Sequence, residues 1–320
     1  RCMSMSRDKR IRLKREKRPH PSGKTARRVW DTSNAHIRDV MHSMAFMGPS
    51  LLGVSVFFIV PFLVVVYYSV IRSPINPEFV FLDNFISVLK NSSFQTAAKN
   101  TATFSIVAVP LAVVLSLGLA LILECRIPGK SWLRTFFLSP MMVPVASVVL
   151  IWQVVFHYNG TLNAVLSTFG ISPVDWLNSP YCQVVIIILF LWKNLGYNMI
   201  LFMAALNNIP KELLEVADVE GASPAHKFFN IKLRYLSPTV LFVTILSIIS
   251  SFKVFREIYL LTGNYPYMGL YMMQHFMNNT FQSLDYQKMS AAAVLMALVM
   301  VVLIILLFKA EDVFGKDVEG

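Results

Sequence analysis

Six long apolar runs, separated by short polar segments, set the pattern of the chain. They cover residues 45–71, 101–123, 135–156, 181–206, 236–261 and 289–308. An apolar run of about 18 or more residues, rising 1.5 Å per residue, crosses hydrocarbon as a helix. Runs this continuous exclude a membrane barrel, whose strands alternate. The pattern therefore predicts an all-α integral membrane protein with six transmembrane helices. It divides the chain into a tail over 1–44, a six-helix domain over 45–310 and a short tail over 311–320.

The polar segment over 209–238, between the fourth and fifth runs, has its own pattern. Pro210 suits the first turn of a helix, where its missing N–H costs nothing. In "KELLEVADVEG", Lys211, Glu215 and Asp218 share one helical face, and Leu213, Val216 and Ala217 another. Gly221 ends that helix as a residue tolerant of the left-handed cap. Ser223 and Pro224 start a second helix as N-cap and first residue. Phe229, Leu233 and Leu236 share a face and lead into the fifth run. The prediction is a compact knob of helix, glycine turn and helix.

Charge adds an orientation. Of 320 residues, 55% are hydrophobic and 15% charged. Residues 1–44 hold 13 of the 29 Lys and Arg; Arg126, Lys130 and Arg134 follow run two, Lys211, Lys227, Lys232 and Arg234 follow run four, and Lys309 and Lys316 follow run six. The intervening loops are poorer in cations, and 157–180 has none. Lys and Arg mark the cytoplasmic side, so both termini and the knob are expected there. The net charge of +11 sits largely in the tail, where it reads as topology and attraction to anionic lipid rather than nucleic-acid binding. Cys2, Cys125 and Cys182 have no metal or disulfide spacing. No His-Glu-x-x-His and no Ser/His constellation points to catalysis.

Polar groups inside apolar runs are functional candidates, because an ionisable residue there is costly. The fourth run carries Lys193, Asn194, Tyr197 and Asn198, with Gly196 permitting close backbone approach. These residues read either as the lining of a polar pathway or as hydrogen-bonding glue between helices. Lys253 and Glu257 lie at i, i+4 near the outer end of the fifth run and read as a structural pair or a gate. Gln153, alone in the third run, reads as glue.

The order "EVADVEG", nine residues, then "IKL" resembles the signature loop of binding-protein-dependent ABC transporter permeases, at Glu215, Ala217, Gly221, Ile231 and Leu233. Val216 replaces an Ala of that signature, and Arg234 a Pro. "GTLNAVLSTFGISPVDWLNSP", "LWKNLGYNMILFMAALNNIPKELLEVA" and "SFKVFREIYLLTGNYP" look like the maltose-type, carbohydrate-uptake subfamily. The resemblance covers roughly residues 45–310. It implies the type I importer permease fold and makes the 209–238 loop the element that couples to a cytoplasmic ATPase. It implies a second related permease, two ATPase subunits, an extracellular solute-binding protein and a sugar, in a prokaryotic plasma membrane. The chain has no Gly-x-x-x-x-Gly-Lys-Ser/Thr loop, so ATP and Mg are expected in the ATPase subunits and no cofactor in this chain. The alternatives are a permease for a polyol or glycerophosphodiester-like solute, or a non-transporting membrane scaffold. A phosphorylated solute would favour clustered Arg in the pathway, whereas the fourth run supplies one Lys.

Overall fold

The computed structural model describes residues 43–125 and 127–315, so the basic tail lies almost wholly outside the described residues. The chain divides into two compact units, 1–63 and 64–320. The described part of the first unit belongs to helix α1, Ser43–Ser69, which contains a π turn at Ser55–Ile59. Phe46, Phe57, Phe58 and Leu63 are all exposed. A helix apolar on every side suits hydrocarbon rather than water.

The second unit is built of helices. After α1, Ile71 bridges Phe79, and Asn84 Nδ2 donates to the Ser69 and Ile71 carbonyls at 3.0 and 2.8 Å. Then follow α2 (Asp83–Lys90), α3 (Ser92–Glu124), α4 (Lys130–Met142), α5 (Val145–Phe156), α6 (Thr161–Thr168) and α7 (Cys182–Asn207). The knob holds α8 (Lys211–Val219), α9 (Pro224–His226) and a π turn at Lys227–Lys232. The chain ends with α10 (Leu233–Phe252), α11 (Phe255–Thr262), α12 (Met273–Gln282) and α13 (Tyr286–Gly315). Among the described residues, six helical stretches are long and apolar enough to cross a membrane.

Three expected boundaries are corrected. The run over 135–156 is not one helix but the end of α4 plus α5. Pro144 has no N–H to donate and disfavours helical backbone in the residue before it, and Val143 is extended at φ −84°, ψ 130°. The run over 236–261 is also two helices, broken at Lys253–Val254. The last helix continues past the expected boundary at 310 to Gly315.

The second unit packs around α3, α7 and α10, with α4 on α7 and α13 on α10. Along α3, Ala108, Ala112, Ser116 and Ala120 recur every four residues, all fully buried. In lipid, small residues on one stripe hold helices together by close backbone approach, since apolar burial itself gains little against lipid tails. One apolar cluster gathers Phe104, Ile186, Leu189 and Ile258; another, nearer the knob, gathers Leu123, Met199, Phe202 and Leu236. Between them, Gly196 meets α4 so closely that a Cβ there would lie 1.9 Å from the Phe137 carbonyl oxygen. This is the close approach for which a glycine in the fourth run is suited.

Candidate functional site

The knob is a helix, a glycine turn and a second helical limb. Pro210 caps α8 rather than entering it. At its other end Gly221 sits at φ +75°. There the Gly221 N–H donates to the Asp218 carbonyl at 3.1 Å and the Ala222 N–H to the Ala217 carbonyl at 2.9 Å. This pair of bonds is the Schellman cap, and it needs the left-handed residue that glycine supplies. Ser223 Oγ then accepts from the His226 N–H at 3.2 Å, with Pro224 next in line. An ion pair between Lys227 and Asp218 closes the two limbs on each other.

The expected apolar face of α8 is corrected. Ala217 is buried, but Leu213 and Val216 are exposed, and Val219 is 90% exposed. The inward contacts come from Leu214 and Ala217, with Ile209 just before the helix. Glu215 is exposed and makes no ion pair among the described residues. In the second limb Leu236 is buried and Leu233 and Ile231 half-buried, yet Phe229 is exposed. The π turn takes one extra residue per turn and so moves Phe229 off the face it would share in an unbroken α-helix. Lys232 Nζ donates to Glu124 Oε2 at 2.7 Å, tying the base of the knob to the end of α3.

Along α7 from the knob lies a cavity of about 710 Å³. Its walls are Leu189, Phe190, Lys193 and Asn194 of α7, the broken stretch Ser250 to Val254, the first two turns of α11, and Gln274 of α12. Irregular backbone at membrane depth is tolerated where it lines a cavity, and broken helices frame solute sites in transporters. Phe190, Phe255 and Tyr259 give it aromatic surface; Asn194, Gln274 and Tyr259 give it neutral polar groups.

The four candidates of the fourth run separate. Lys193 lines the cavity and pairs with Glu257 of α11. Asn194 lines it too, its Nδ2 donating to the Phe190 carbonyl at 2.8 Å. Tyr197 is exposed but outside that lining. Asn198 is buried, and its Nδ2 donates to Ser247 Oγ at 3.0 Å, joining α7 to α10. It acts as glue. Gln153 likewise donates to the Leu260 and Leu261 carbonyls, at 3.2 and 3.4 Å.

The expected Lys253–Glu257 pair is corrected: Glu257, 7% exposed, pairs with Lys193. The i, i+4 spacing brings side chains together only on a continuous helix, and the chain turns at Lys253–Val254. Lys253 and Arg256 both line the cavity, and neither side chain has an ion-pair or hydrogen-bond partner among the described residues. A charge at membrane depth costs a few kcal/mol. Arg256 escaped the sequence reading although it stands next to Glu257; the signal was a third cation, supplied from a second helix.

Two further polar side chains, Asn163 and His275, are buried outside the cavity lining. Buried Asn163 donates from Nδ2 to the Tyr158 and Val174 carbonyls, both at 2.8 Å, while its Oδ1 accepts from Trp176 Nε1 at 2.9 Å. This makes Trp176 part of a folded loop. His275 of α12 is fully buried, accepts from the Met272 N–H at Nδ1 and meets the Phe255 ring edge-on. Burial lowers its pKa from the usual 6.5 to about 4.

The family described as "Binding-protein-dependent transport system inner membrane component" matches residues 108–319. The trehalose/maltose transport system permease protein MalF of Thermococcus litoralis is 35% identical over 241 residues, 73% of this chain and 81% of that protein. The arabinooligosaccharides transport system permease protein AraP of Bacillus subtilis is 31% identical over 277 residues, 83% of this chain and 86% of that protein. A chain of the solved bacterial ABC transporter involved in the import of the acidic polysaccharide alginate has the same fold, with a TM-score of 0.75 at 20% identity, over 89% of this chain and 98% of that one.

Proposed function

The chain belongs to the family of binding-protein-dependent transport system inner membrane components, and from that premise we propose that it forms half of the pathway of an ATP-driven importer of sugars or oligosaccharides. It is a multi-pass transporter subunit, not an enzyme. A second, related permease completes the pathway, an extracellular binding protein delivers the solute, and two cytoplasmic ATPase subunits hold ATP and Mg. The named solutes of the relatives, trehalose, maltose and arabinooligosaccharides, support the sugar class.

One observation carries the mechanism: the knob and the cavity are built on the same two helices. The end of α7 runs into α8, the knob runs into α10, and α10 breaks at the cavity wall. The knob is no loose loop. Leu214 and Ala217 pack on the bundle, Lys232 grips Glu124, and Asn198 bonds Ser247 across α7 and α10. A displacement of the knob therefore reaches the cavity through packed helices instead of dissipating in a linker. The face it offers outward is apolar at Leu213, Val216 and Val219 with Glu215 beside them, a surface fit for a cleft on an ATPase with a basic group at its edge.

The test is purification of the tagged chain from its native membrane. An ATPase, a second permease and a solute-binding protein should co-purify. In vesicles the complex should hydrolyse ATP faster when the loaded binding protein is present. A chain that purifies with no ATPase, or whose complex ignores the binding protein, overturns the importer reading in favour of a membrane scaffold.

A further inference from the structure

We propose that the solute crossing at this cavity carries a fixed negative charge: a glycoside bearing a carboxylate, sulfonate or phosphate ester, held by Lys253 and Arg256. The inference rests on the importer reading and narrows its substrate class.

Depth comes first. Lys193 is the twelfth of the 26 residues of α7, near the middle of that span. Its ion pair with Glu257 therefore sets the first turn of α11 level with the middle of the bundle. Lys253 and Arg256 border the same cavity as Lys193, and both are exposed rather than packed away.

The charges do not balance. The cavity wall holds three cations, Lys193, Lys253 and Arg256, and one carboxylate, Glu257. That carboxylate is engaged by Lys193, which leaves two cations facing the same space. A neutral sugar does not call for them. Asn194, Gln274 and Tyr259 already offer hydroxyl-bonding groups, and Phe190 and Phe255 offer apolar surface, with no charge to desolvate. An anionic group does call for them. The planar guanidinium of Arg256 matches a carboxylate, sulfonate or phosphate with two parallel hydrogen bonds, and Lys253 adds a point charge on a flexible stem. A cavity of net positive charge with low-dielectric walls also concentrates anions. The Lys193–Glu257 pair then has a separate role: it closes α7 on α11 and keeps the only carboxylate of the wall from competing with the solute.

The competing account is that carboxylates of the second permease neutralise Lys253 and Arg256. The two accounts part in one experiment on the complete transporter with its binding protein. The binding protein is titrated with matched probes: neutral gluco-, galacto- and arabino-oligosaccharides and their uronate, sulfonate and phosphate counterparts. Uptake of each bound probe is then measured in vesicles. The expected result is that acidic probes are bound and transported. Lys253→Gln and Arg256→Gln should each lower that uptake about tenfold or more, as for loss of a charge-assisted hydrogen bond, with the complex still assembled and Lys253→Arg largely restoring uptake. Transport of neutral oligosaccharides only, unchanged in both Gln variants, overturns the inference and leaves the importer reading standing. Neutral transport with both variants failing to assemble overturns it in favour of carboxylates from the partner. If no probe of either class is bound or moved, the sugar-importer reading itself falls.

Discussion

Gly196 shows how little space separates α7 from α4. A methyl group there would meet the Phe137 backbone carbonyl at 1.9 Å, and backbone cannot swing aside as a side-chain tip can. Gly196→Ala should destabilise the solubilised subunit by roughly 1–3 kcal/mol, the usual range for overpacking, seen as a lower thermal midpoint. Two residues away the prediction differs. Asn198→Leu removes one buried interhelical bond, to Ser247; such bonds are worth about 0.6 kcal/mol in membranes, so assembly should weaken slightly while uptake per assembled complex stays normal. Asn194→Leu should show the opposite: unchanged stability and impaired uptake, because Asn194 lines the cavity. Sequence spacing grouped these asparagines, and rightly placed them on neighbouring rows of one helix. It did not separate them, because four residues carry a side chain about 40° around and 6 Å along the axis, enough here to pass from cavity to packing. His275 adds a pH dependence. It is held neutral, with a pKa near 4 against 6.5 when unfolded. Between those values the unfolded chain binds more protons, so stability is full above about pH 6.5 and is lost as the pH falls toward 4, by at most about 3 kcal/mol. Thermal midpoints between pH 7 and 4.5 should fall for the native chain and fall less for His275→Gln.

At the scale of elements, the knob was legible because its punctuation is local. Gly221 and Ser223-Pro224 fix where one limb stops and the next starts, whatever they pack against. The π turn at Lys227–Lys232 was not legible. It changes register by packing, and no residue type announces it. The breaks at Pro144 and at Lys253–Val254 show the same contrast: the first carries a proline, and the second lies in a sequence, "SSFKVF", that a helix accepts. Gly221→Val tests the knob as a lever. A β-branched residue at φ +75° is strained by about 1–2 kcal/mol, and open space around the site offers no clash to blame instead. The strain lies in a turn outside the spans, so insertion and pairing with the second permease should survive. Uptake and binding-protein-stimulated ATP hydrolysis should drop together. Native rates for Gly221→Val would reduce the knob to a surface connector.

For the whole molecule, the six spans were legible because lipid demands long apolar runs, and composition alone reports them. The cavity was not, because its charges come from α7 and from the break and first turn of α11, some 60 residues apart, and only packing brings Lys193 to Glu257. Reading the fourth run by itself found one cation and weighed against a phosphorylated solute; the folded chain assembles three. Orientation belongs to this scale too, and it decides whether the knob can meet an ATPase at all. From the Lys and Arg asymmetry we expect the knob and both termini in the cytoplasm and the 157–180 loop, free of Lys and Arg, outside. Ser172 in that loop and Ser223 at the knob are both exposed, so neither is shielded by its own fold. In a chain with Cys2, Cys125 and Cys182 replaced by Ala, a membrane-impermeant maleimide applied to intact cells should label Ser172→Cys and spare Ser223→Cys. Permeabilising the cells should then expose Ser223→Cys, which separates a cytoplasmic location from burial against the ATPase once that subunit is stripped. The reverse pattern would place the knob outside, where no ATPase works, and with it the coupling of knob to cavity through α7 and α10 would lose its source of motion.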